Sequence, residues 1–311
     1  VFTMGVDPKT KLERECTGMV KILLLLVVAV NGLYAVRFFT DFLKHKEEAW
    51  KEPGNNFFLA IWGAVCFFFS TFGISDFALS TVVYRARKLL DDKKLPGTLN
   101  TQCAIPVAIM ALAYISSISV EPKTLVLLIA AQMIGAYFGP RFVVRMPVGR
   151  IRMFMGIGLV LAAFFVVAGK FSLIPSGGQA IGLTGGKLAL AIVLMLVYGA
   201  LNNVGIGSYA PTMATVYALG LNPAVAFPVM MGACTFSVPV GASEFVRLGQ
   251  YGRKITLFSS IFGIVGVLAA VYIVKSLNVS MLQWVVAAVV LYSGISLLHS
   301  AFTSPAAKQE A

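Results

Sequence analysis

The feature that most constrains this chain is a series of apolar runs, each long enough to cross a lipid bilayer as a helix. A hydrocarbon core of about 30 Å needs about 20 mainly apolar residues per helical span. Hydrophobic residues make up 58% of the 311 residues and charged residues only 12%, whereas soluble domains carry about 25% charged residues. The sequence therefore predicts an all-α polytopic membrane protein and excludes a water-soluble fold. The nine predicted spans are 18–40, 56–72, 101–119, 124–142, 151–169, 187–203, 223–243, 255–276 and 281–302.

The net charge of +12 does not indicate a nucleic-acid partner, because the basic residues lie in short connectors between apolar runs. Such connectors are typical of loops that stay on the cytoplasmic side. Two predicted spans separate the basic connectors 85–94 and 141–152, so we expect both on the same side. Counting the predicted spans from these connectors places the N-terminus on the cytoplasmic side and the C-terminus on the outer side of the membrane. It also places the basic residues of 44–51 and 247–254 outside.

Two apolar segments that contain glycines and small polar side chains lie between predicted spans, at 73–84 and 205–219. The second belongs to a stretch without any charged residue. A straight helix over 188–219 would be roughly 48 Å long at about 1.5 Å per residue, well beyond the hydrocarbon core. We expect Gly205 and Gly207 to interrupt it, because glycine permits the backbone to leave the helical conformation.

Both segments carry the pattern Gly-Ile-x-x-aromatic-Ala, which begins at Gly73 and again at Gly205, and Pro106 and Pro228 follow at matching places. We infer two copies of four spans each, which enter the membrane from the same side and are related by an axis along the membrane normal. The predicted fold is two parallel four-helix repeats with glycine-broken helices, plus an extra N-terminal transmembrane helix. The predicted boundaries are a leader at 1–17, the extra helix at 18–45, repeat 1 at 56–170, a Gly-rich linker at 171–186, repeat 2 at 187–302 and a tail at 303–311.

The interrupted segments also predict a binding site. Non-helical backbone at membrane depth must be buried in protein or line a wet cavity, and duplicated breaks are typical of transport sites. After each break a new helix begins with free N–H groups and partial positive charge, which favours anions. The predicted substrate-binding residues are Ser75, Asp76, Thr101, Gln102, Asn202, Asn203, Gly205, Gly207, Ser208, Tyr209, Thr212, Thr235 and Ser237, with Ser70, Thr71 and Ser80 as further donors near the first break.

Alternatives remain open for these residues, because small side chains at such places also allow close helix packing. Asp76 is the predicted coupling residue, since an ionisable side chain at membrane depth is commonly a proton or cation relay. The alternative is that Asp76 caps the half-helix that follows it. Gln132 is expected to make an interhelical hydrogen bond. Cys66, Cys103 and Cys234 are expected to act as small apolar residues rather than metal ligands or disulfides.

The glycine-rich element, the eight-span core and the short basic connectors resemble the TauE/SafE family of sulfite exporters, also called the toluene sulfonate uptake permease superfamily. The resemblance extends over about 56–302. The family's glycine-rich element with its following proline maps onto Gly205, Gly207 and Pro211, and Ser208 stands where a third glycine is common. The resemblance implies a carrier of sulfite, sulfonates or related organosulfur anions in the bacterial plasma membrane.

The sequence thus predicts an ion- or proton-coupled secondary transporter of a small sulfur oxyanion, not an enzyme. An anion channel and a permease for small carboxylates are the alternatives. A membrane enzyme is disfavoured because His45 and His299 are not placed to activate a buried nucleophile, and Asp76 is the only aspartate in a predicted span region. We expect no cofactor, metal or nucleic-acid partner. The expected partners are the lipid bilayer and a small anionic substrate, and a homodimer is one assembly to test.

Overall fold

A computed structural model describes residues 8–72, 74–114, 120–171, 173, 178–273, 291–292, 294–299 and 301–303. The regular elements of these residues are helices, apart from one isolated bridge between Ala180 and Leu221. Short helical stretches also occur within 291–303. The helices are α1 (Pro8–Lys44), α2 (Lys46–Lys51), α3 (Asn56–Ser70), α4 (Asp76–Ala86), α5 (Leu95–Tyr114), α6 (Pro122–Arg145), α7 (Val148–Lys170), α8 (Gly185–Asn202), α9 (Tyr209–Ala218), α10 (Pro223–Leu248) and α11 (Arg253–Ile273).

Among the described residues, seven helices are long and apolar enough to cross a membrane, and α3 is a shorter apolar helix. Together they fall on eight of the nine predicted spans, so the prediction of an all-helical, multi-pass membrane protein is confirmed. Most of the ninth predicted span, 281–302, lies outside the described residues. So do Gly73 and parts of the predicted leader, linker and tail.

Helices α3 and α4 form a hairpin, called hairpin 1 below, whose two open ends lie together. The guanidinium of Arg87, directly after α4, lies 4.7 Å from the ring centroid of Phe58 in the first turn of α3. The start of α3 also lies beside the start of α11, because Lys254 Nζ donates a hydrogen bond to the Gly54 carbonyl at 2.7 Å. We call this end of the helix bundle the basic end.

Helices α8 and α9 form a second hairpin, called hairpin 2. Lys187 Nζ, in the first turn of α8, donates a hydrogen bond to the carbonyl of Leu219, directly after α9, at 3.1 Å. Hairpin 2 therefore begins and finishes at one end of the bundle. This is the end where α6 also begins, because the Glu121 N–H donates to the Ile181 carbonyl at 2.9 Å. We call it the opposite end.

The two halves of the chain run in opposite senses. The Asn222 N–H donates to the Ala180 carbonyl at 2.8 Å, so α10 starts at the opposite end. The Gly252 N–H donates to Thr98 Oγ1 at 2.8 Å, so α10 finishes where α5 starts, at the basic end. The predicted parallel relation of the repeats is therefore wrong. Each interrupted segment is a hairpin that returns to its own end, whereas the sequence prediction counts it as one crossing.

An aspartate bridges the two basic connectors that were expected on one side. Asp92, between α4 and α5, accepts a hydrogen bond from Arg85 Nε at 3.1 Å and from Arg152 Nε at 2.8 Å. Arg85 belongs to the last turn of α4 and Arg152 to the first turns of α7. The prediction that connectors 85–94 and 141–152 share a side is confirmed.

The other two basic connectors lie at the same end, contrary to the prediction. Asp41 near the end of α1 accepts hydrogen bonds from Arg253 Nε at 2.8 Å and from the Tyr251 hydroxyl at 2.5 Å. Burial, and then the hydrogen bond to Asp41, raise the pKa of Tyr251, so this hydroxyl stays a donor. Connectors 44–51 and 247–254 therefore lie beside the others, because hairpin 1 returns to the end from which it starts. Since α1 finishes at the basic end, its start lies toward the opposite end, so an N-terminus on the side of connector 85–94 is wrong as well.

Two helix pairs pack with their backbones nearly in contact. A Cβ placed on Gly135 of α6 or on Gly199 of α8 would collide with a backbone carbonyl of the facing helix. Gly266 of α11 faces the carbonyl of Ala64 in α3 in the same way. Small residues permit such close approach between membrane helices. The longer arm of each hairpin is thus held against a helix of the other half.

Candidate functional site

The tips of the two hairpins meet inside the helix bundle. A Cβ placed on Gly207, in the tip of hairpin 2, would lie 3.9 Å from Ser75 Oγ, in the tip of hairpin 1. Helix α4 begins at Asp76 and α9 at Tyr209. The positively polarised starts of two helices therefore lie at the same place. The residues predicted around the two breaks come together here, although 132 positions separate Ser75 from Gly207 along the chain.

The tip of hairpin 2 depends on two glycines with positive φ. Helix α8 ends at Asn202, and Gly205 and Gly207 have φ of +99° and +74°. Residues with a Cβ rarely adopt this conformation. At Gly205 a Cβ would also lie only 2.9 Å from Met155 Cε of α7. The tip therefore needs glycine at both positions, in the segment where the sequence predicted an interruption.

The start of α9 has no side-chain cap, because its N-cap residue is engaged elsewhere. Ser208 Oγ accepts a hydrogen bond from Gln132 Nε2 at 3.1 Å and lies 3.1 Å from Cys234 Sγ. Gln132 Nε2 also donates to Ser237 Oγ at 3.0 Å. Gln132 Oε1 is buried and has no hydrogen-bond partner among the described residues. The N–H groups of Tyr209 and Ala210 thus donate no hydrogen bond to the Ser208 side chain, and the Gln132 amide oxygen can still accept one.

In the tip of hairpin 1, one residue caps α4 and the next residue carries a buried carboxylate. Ser75 is the N-cap of α4, and its Oγ accepts a hydrogen bond from the Ala78 N–H at 3.3 Å. Asp76 Oδ1 accepts a hydrogen bond from Ser70 Oγ at 3.3 Å. Asp76 Oδ2 is buried and lacks a hydrogen-bond partner within the part of the chain that the structure describes. Ser75 thus supplies the N-cap hydrogen bond of α4, while the Asp76 carboxylate lies in the first turn, at the positive end of the helix dipole.

A second polar network lies behind the tip of hairpin 1. Gln102 Nε2 donates to Ser80 Oγ at 2.9 Å, and Gln102 Oε1 accepts a hydrogen bond from the Tyr84 hydroxyl. Ser80 Oγ lies 3.4 Å from Cys66 Sγ. Each network thus joins a glutamine, a serine and a cysteine. Cys66 and Cys234 were predicted to be small apolar residues. Both are buried thiols, but their polar contacts have no signal in the local sequence.

Several predicted site residues lie in helix interfaces instead. Thr101 Oγ1 lies 2.7 Å from Thr256 Oγ1, between α5 and α11. Thr212 Oγ1 is 3.7 Å from Met195 Sδ, between the two arms of hairpin 2. Tyr209 is partly buried and packs against the main hydrophobic core. These contacts fit the packing alternative.

The two asparagines at the end of α8 also bond within the protein. Asn202 Nδ2 donates to Asn100 Oδ1 at 3.0 Å, which joins hairpin 2 to α5. Asn203 Nδ2 donates to the Gly199 carbonyl at 2.7 Å, and Asn203 Oδ1 is buried with no partner among the described residues. Their main contribution is therefore to hold the end of α8 in place next to the tip.

The first helix is packed into the bundle rather than appended to it. Asn31 Nδ2 of α1 donates to the Thr235 carbonyl of α10 at 3.1 Å. The Tyr34 hydroxyl donates to the Thr101 carbonyl of α5 at 2.7 Å. The backbone carbonyl of Thr235, a predicted site residue, thus contacts α1. Asn31 could have been recognised as one of few polar side chains in an apolar run.

The fold and the meeting hairpins define a multi-pass helical membrane protein with the features of a transporter. Residues 14–166 match the family model described as sulfite exporter TauE/SafE. The resemblance is therefore confirmed over these residues, and it supports a membrane transporter of sulfur compounds. Its extent differs from the expected 56–302, since the match includes α1 and stops before Gly205. No curated protein and no solved structure matches the chain.

Proposed function

We propose that this chain is a secondary transporter of a small sulfur oxyanion, such as sulfite or a sulfonate, that binds where the two hairpin tips meet. The observation that carries the proposal is the close approach of Gly207 to Ser75, next to which α9 and α4 begin. Two helix starts favour negative charge through their N–H groups. Because these dipoles carry no full positive charge, they hold an anion without preventing its release.

The opposed hairpins support alternating access. Hairpin 1 reaches the tips from the basic end and hairpin 2 from the opposite end. Movement of one half against the other exposes the tips to one side at a time, as in carriers built from inverted repeats. The axis that relates the halves then lies in the membrane plane.

We assign the basic end to the cytoplasm and the protein to the bacterial plasma membrane. Lys and Arg of short connectors are retained on the cytoplasmic side, and the four basic connectors lie together at this end. An anion channel or a permease for small carboxylates is the alternative function. Saturable flux of sulfite argues against a channel, and competition by sulfonates but not by acetate argues against a carboxylate permease.

A pair of glycine substitutions tests the site. Gly207 and Gly220 both have positive φ, +74° and +85°, and a Cβ at either position meets only ordinary van der Waals contact. Gly207 lies at the tip and Gly220 after α9 at the opposite end. Alanine at either position costs about 1–2 kcal/mol of backbone strain. We expect Gly207→Ala to reduce the flux of labelled sulfite into proteoliposomes roughly tenfold, equivalent to about 1.4 kcal/mol, and Gly220→Ala to leave it near wild type.

Thermal unfolding of both variants in detergent provides the control, because their losses of stability should be similar. Wild-type flux in Gly207→Ala, or equal losses of flux in both variants, would show that the tips do not form the transport site.

A further inference from the structure

A cleft at the basic end lies apart from the hairpin tips. Its volume is about 810 Å³, and it is bounded by α4, the α4–α5 loop, the start of α7 and residues 292 and 296. Four basic side chains belong to its wall: Arg85, Lys88, Lys94 and Arg152. None of these four residues belongs to the candidate site at the hairpin tips.

An internal carboxylate occupies the cationic side of this cleft. Asp92 places one oxygen 3.1 Å from Arg85 Nε and the other 2.8 Å from Arg152 Nε. The two arginines come from different helices, and they face the same small group of oxygens. Guanidinium groups bind carboxylates and other oxyanions with similar geometry. A sulfite or sulfonate group therefore has the charge and the oxygens to compete with Asp92 for them.

The other acidic residues of the wall do not cancel this preference. The Glu52 carboxylate is engaged at the start of α11, where it accepts from the N–H groups of Arg253 at 3.1 Å and Lys254 at 2.8 Å. Asp91 is exposed to solvent. Lys88 and Lys94 add two ammonium groups to the same wall.

The cleft is connected to the tip through α4. Thr81 and Val82 belong to the cleft wall, and the neighbouring Ser80 belongs to the network of Gln102. Helix α4 begins at Asp76 in the tip, and at about 1.5 Å per residue Thr81 lies roughly 8 Å and Arg85 roughly 14 Å further along the helix axis. An anion in the cleft thus lies one helix arm away from the transport site.

We propose that this cleft is a loading site for the transported oxyanion on the basic side of the membrane, in which the ligand displaces Asp92 from Arg85 and Arg152. This inference rests on the proposed function. The loading site concentrates the anion next to hairpin 1, whereas the tip site carries it across.

The first test compares sulfite transport by Lys88→Glu, Lys94→Glu and a matched control, Lys46→Glu. Lys46 is exposed at the same end, outside the cleft wall, and its substitution changes the charge equally. In the two cleft variants we expect a several-fold higher half-saturation concentration when sulfite is supplied to the basic side. The maximal rate for sulfite supplied to that side should stay near wild type. The effect should shrink at high salt, which screens these charges.

The second test detects binding without transport. A cysteine in place of Lys88 is alkylated by a maleimide in the presence of increasing methanesulfonate, with a cysteine in place of Lys46 as the control. Both variants carry Cys16→Ser, and the remaining native thiols, Cys66, Cys103 and Cys234, are buried and should react slowly. We expect methanesulfonate to protect position 88 and not position 46.

The loading site is refuted if Lys88→Glu and Lys94→Glu match Lys46→Glu in half-saturation concentration, or if position 88 is not protected. A wild-type protein that moves no sulfite would refute the proposed function instead, and protection at position 88 would still show that the cleft binds the anion.

Discussion

At the scale of single residues, Asp76 combines burial with an incompletely bonded carboxylate. Ser70 bonds to Oδ1, and Oδ2 has no partner among the described residues. The side-chain N-cap hydrogen bond of α4 comes from Ser75, so it does not depend on the protonation state of Asp76. An anion bound at the adjacent tip favours the neutral carboxyl, and by linkage a protonated Asp76 favours anion binding. Binding of the anion and binding of the proton would in this way favour each other.

We therefore expect Asp76→Asn to remove the dependence of sulfite uptake on an imposed pH gradient. The amide oxygen can still accept from Ser70, but the side chain no longer binds a proton. The matched variant is Ser75→Ala, which removes the cap and should lower the free energy of unfolding by about 1 kcal/mol while keeping the response to the gradient. The measurement is sulfite uptake into proteoliposomes of each variant, with and without the pH gradient. A wild-type response in Asp76→Asn would exclude this residue as the coupling group.

At the scale of elements, α6 holds both the arm and the tip of hairpin 2. Gly199 of α8 packs against the backbone carbonyl of Gln132 in α6. The side chain of the same Gln132 donates to Ser208 at the tip. A shift of α8 away from α6 would therefore also displace the start of α9. The α6–α8 contact and the proposed transport site are in this way one structural unit.

Two glycines of α8 test this linkage. A Cβ on Gly199 would collide with the Gln132 carbonyl, whereas a Cβ on Gly186 meets no atom within 4 Å. We expect Gly199→Ala to lower the free energy of unfolding by about 1–3 kcal/mol and to reduce sulfite flux. Gly186→Ala should be neutral or stabilising by up to about 1 kcal/mol, because alanine favours a helix more than glycine does. Thermal unfolding in detergent measures both, and identical unfolding temperatures would contradict the tight α6–α8 contact.

At the scale of the whole molecule, the return of hairpin 1 collects the basic connectors at one end. Connector 44–51 lies near α11 through Asp41 and Arg253, and connector 85–94 near α7 through Asp92 and Arg152. If each hairpin is counted as one crossing of the membrane, the two sides differ little in their number of basic residues. In the folded molecule these four basic connectors lie at one end, which favours one orientation in the membrane.

Labelling of introduced cysteines checks this topology. We expect a membrane-impermeant thiol reagent to reach Lys46→Cys and Lys88→Cys from the cytoplasmic side only, in inverted vesicles. It should reach Lys187→Cys, at the exposed start of α8, only in intact cells stripped of their outer layers. All three lysines are exposed. Labelling of positions 46 and 88 from different sides would instead support the predicted parallel arrangement of the two repeats.

Much of the fold follows from local rules that can be applied to the sequence alone. The length of each apolar run determines where a spanning helix forms, because backbone polar groups must be satisfied within lipid. Positive φ at Gly205 and Gly207 is likewise a local property of glycine, and it lies in the predicted break. The resemblance to TauE/SafE was also evident from short motifs, although the family match covers a different part of the chain.

Only the tertiary structure decided where the chain goes after each break. A glycine shows that a helix can stop, but the direction of the next helix depends on what it packs against, and α4 and α9 turn back. The polar networks were hidden for the same reason: Gln132 and Ser208 are 76 positions apart, and their contact exists only because α6 packs on hairpin 2. Local sequence determined the elements and their ends, while packing between distant residues determined their direction, the meeting of the tips and the side of each charge.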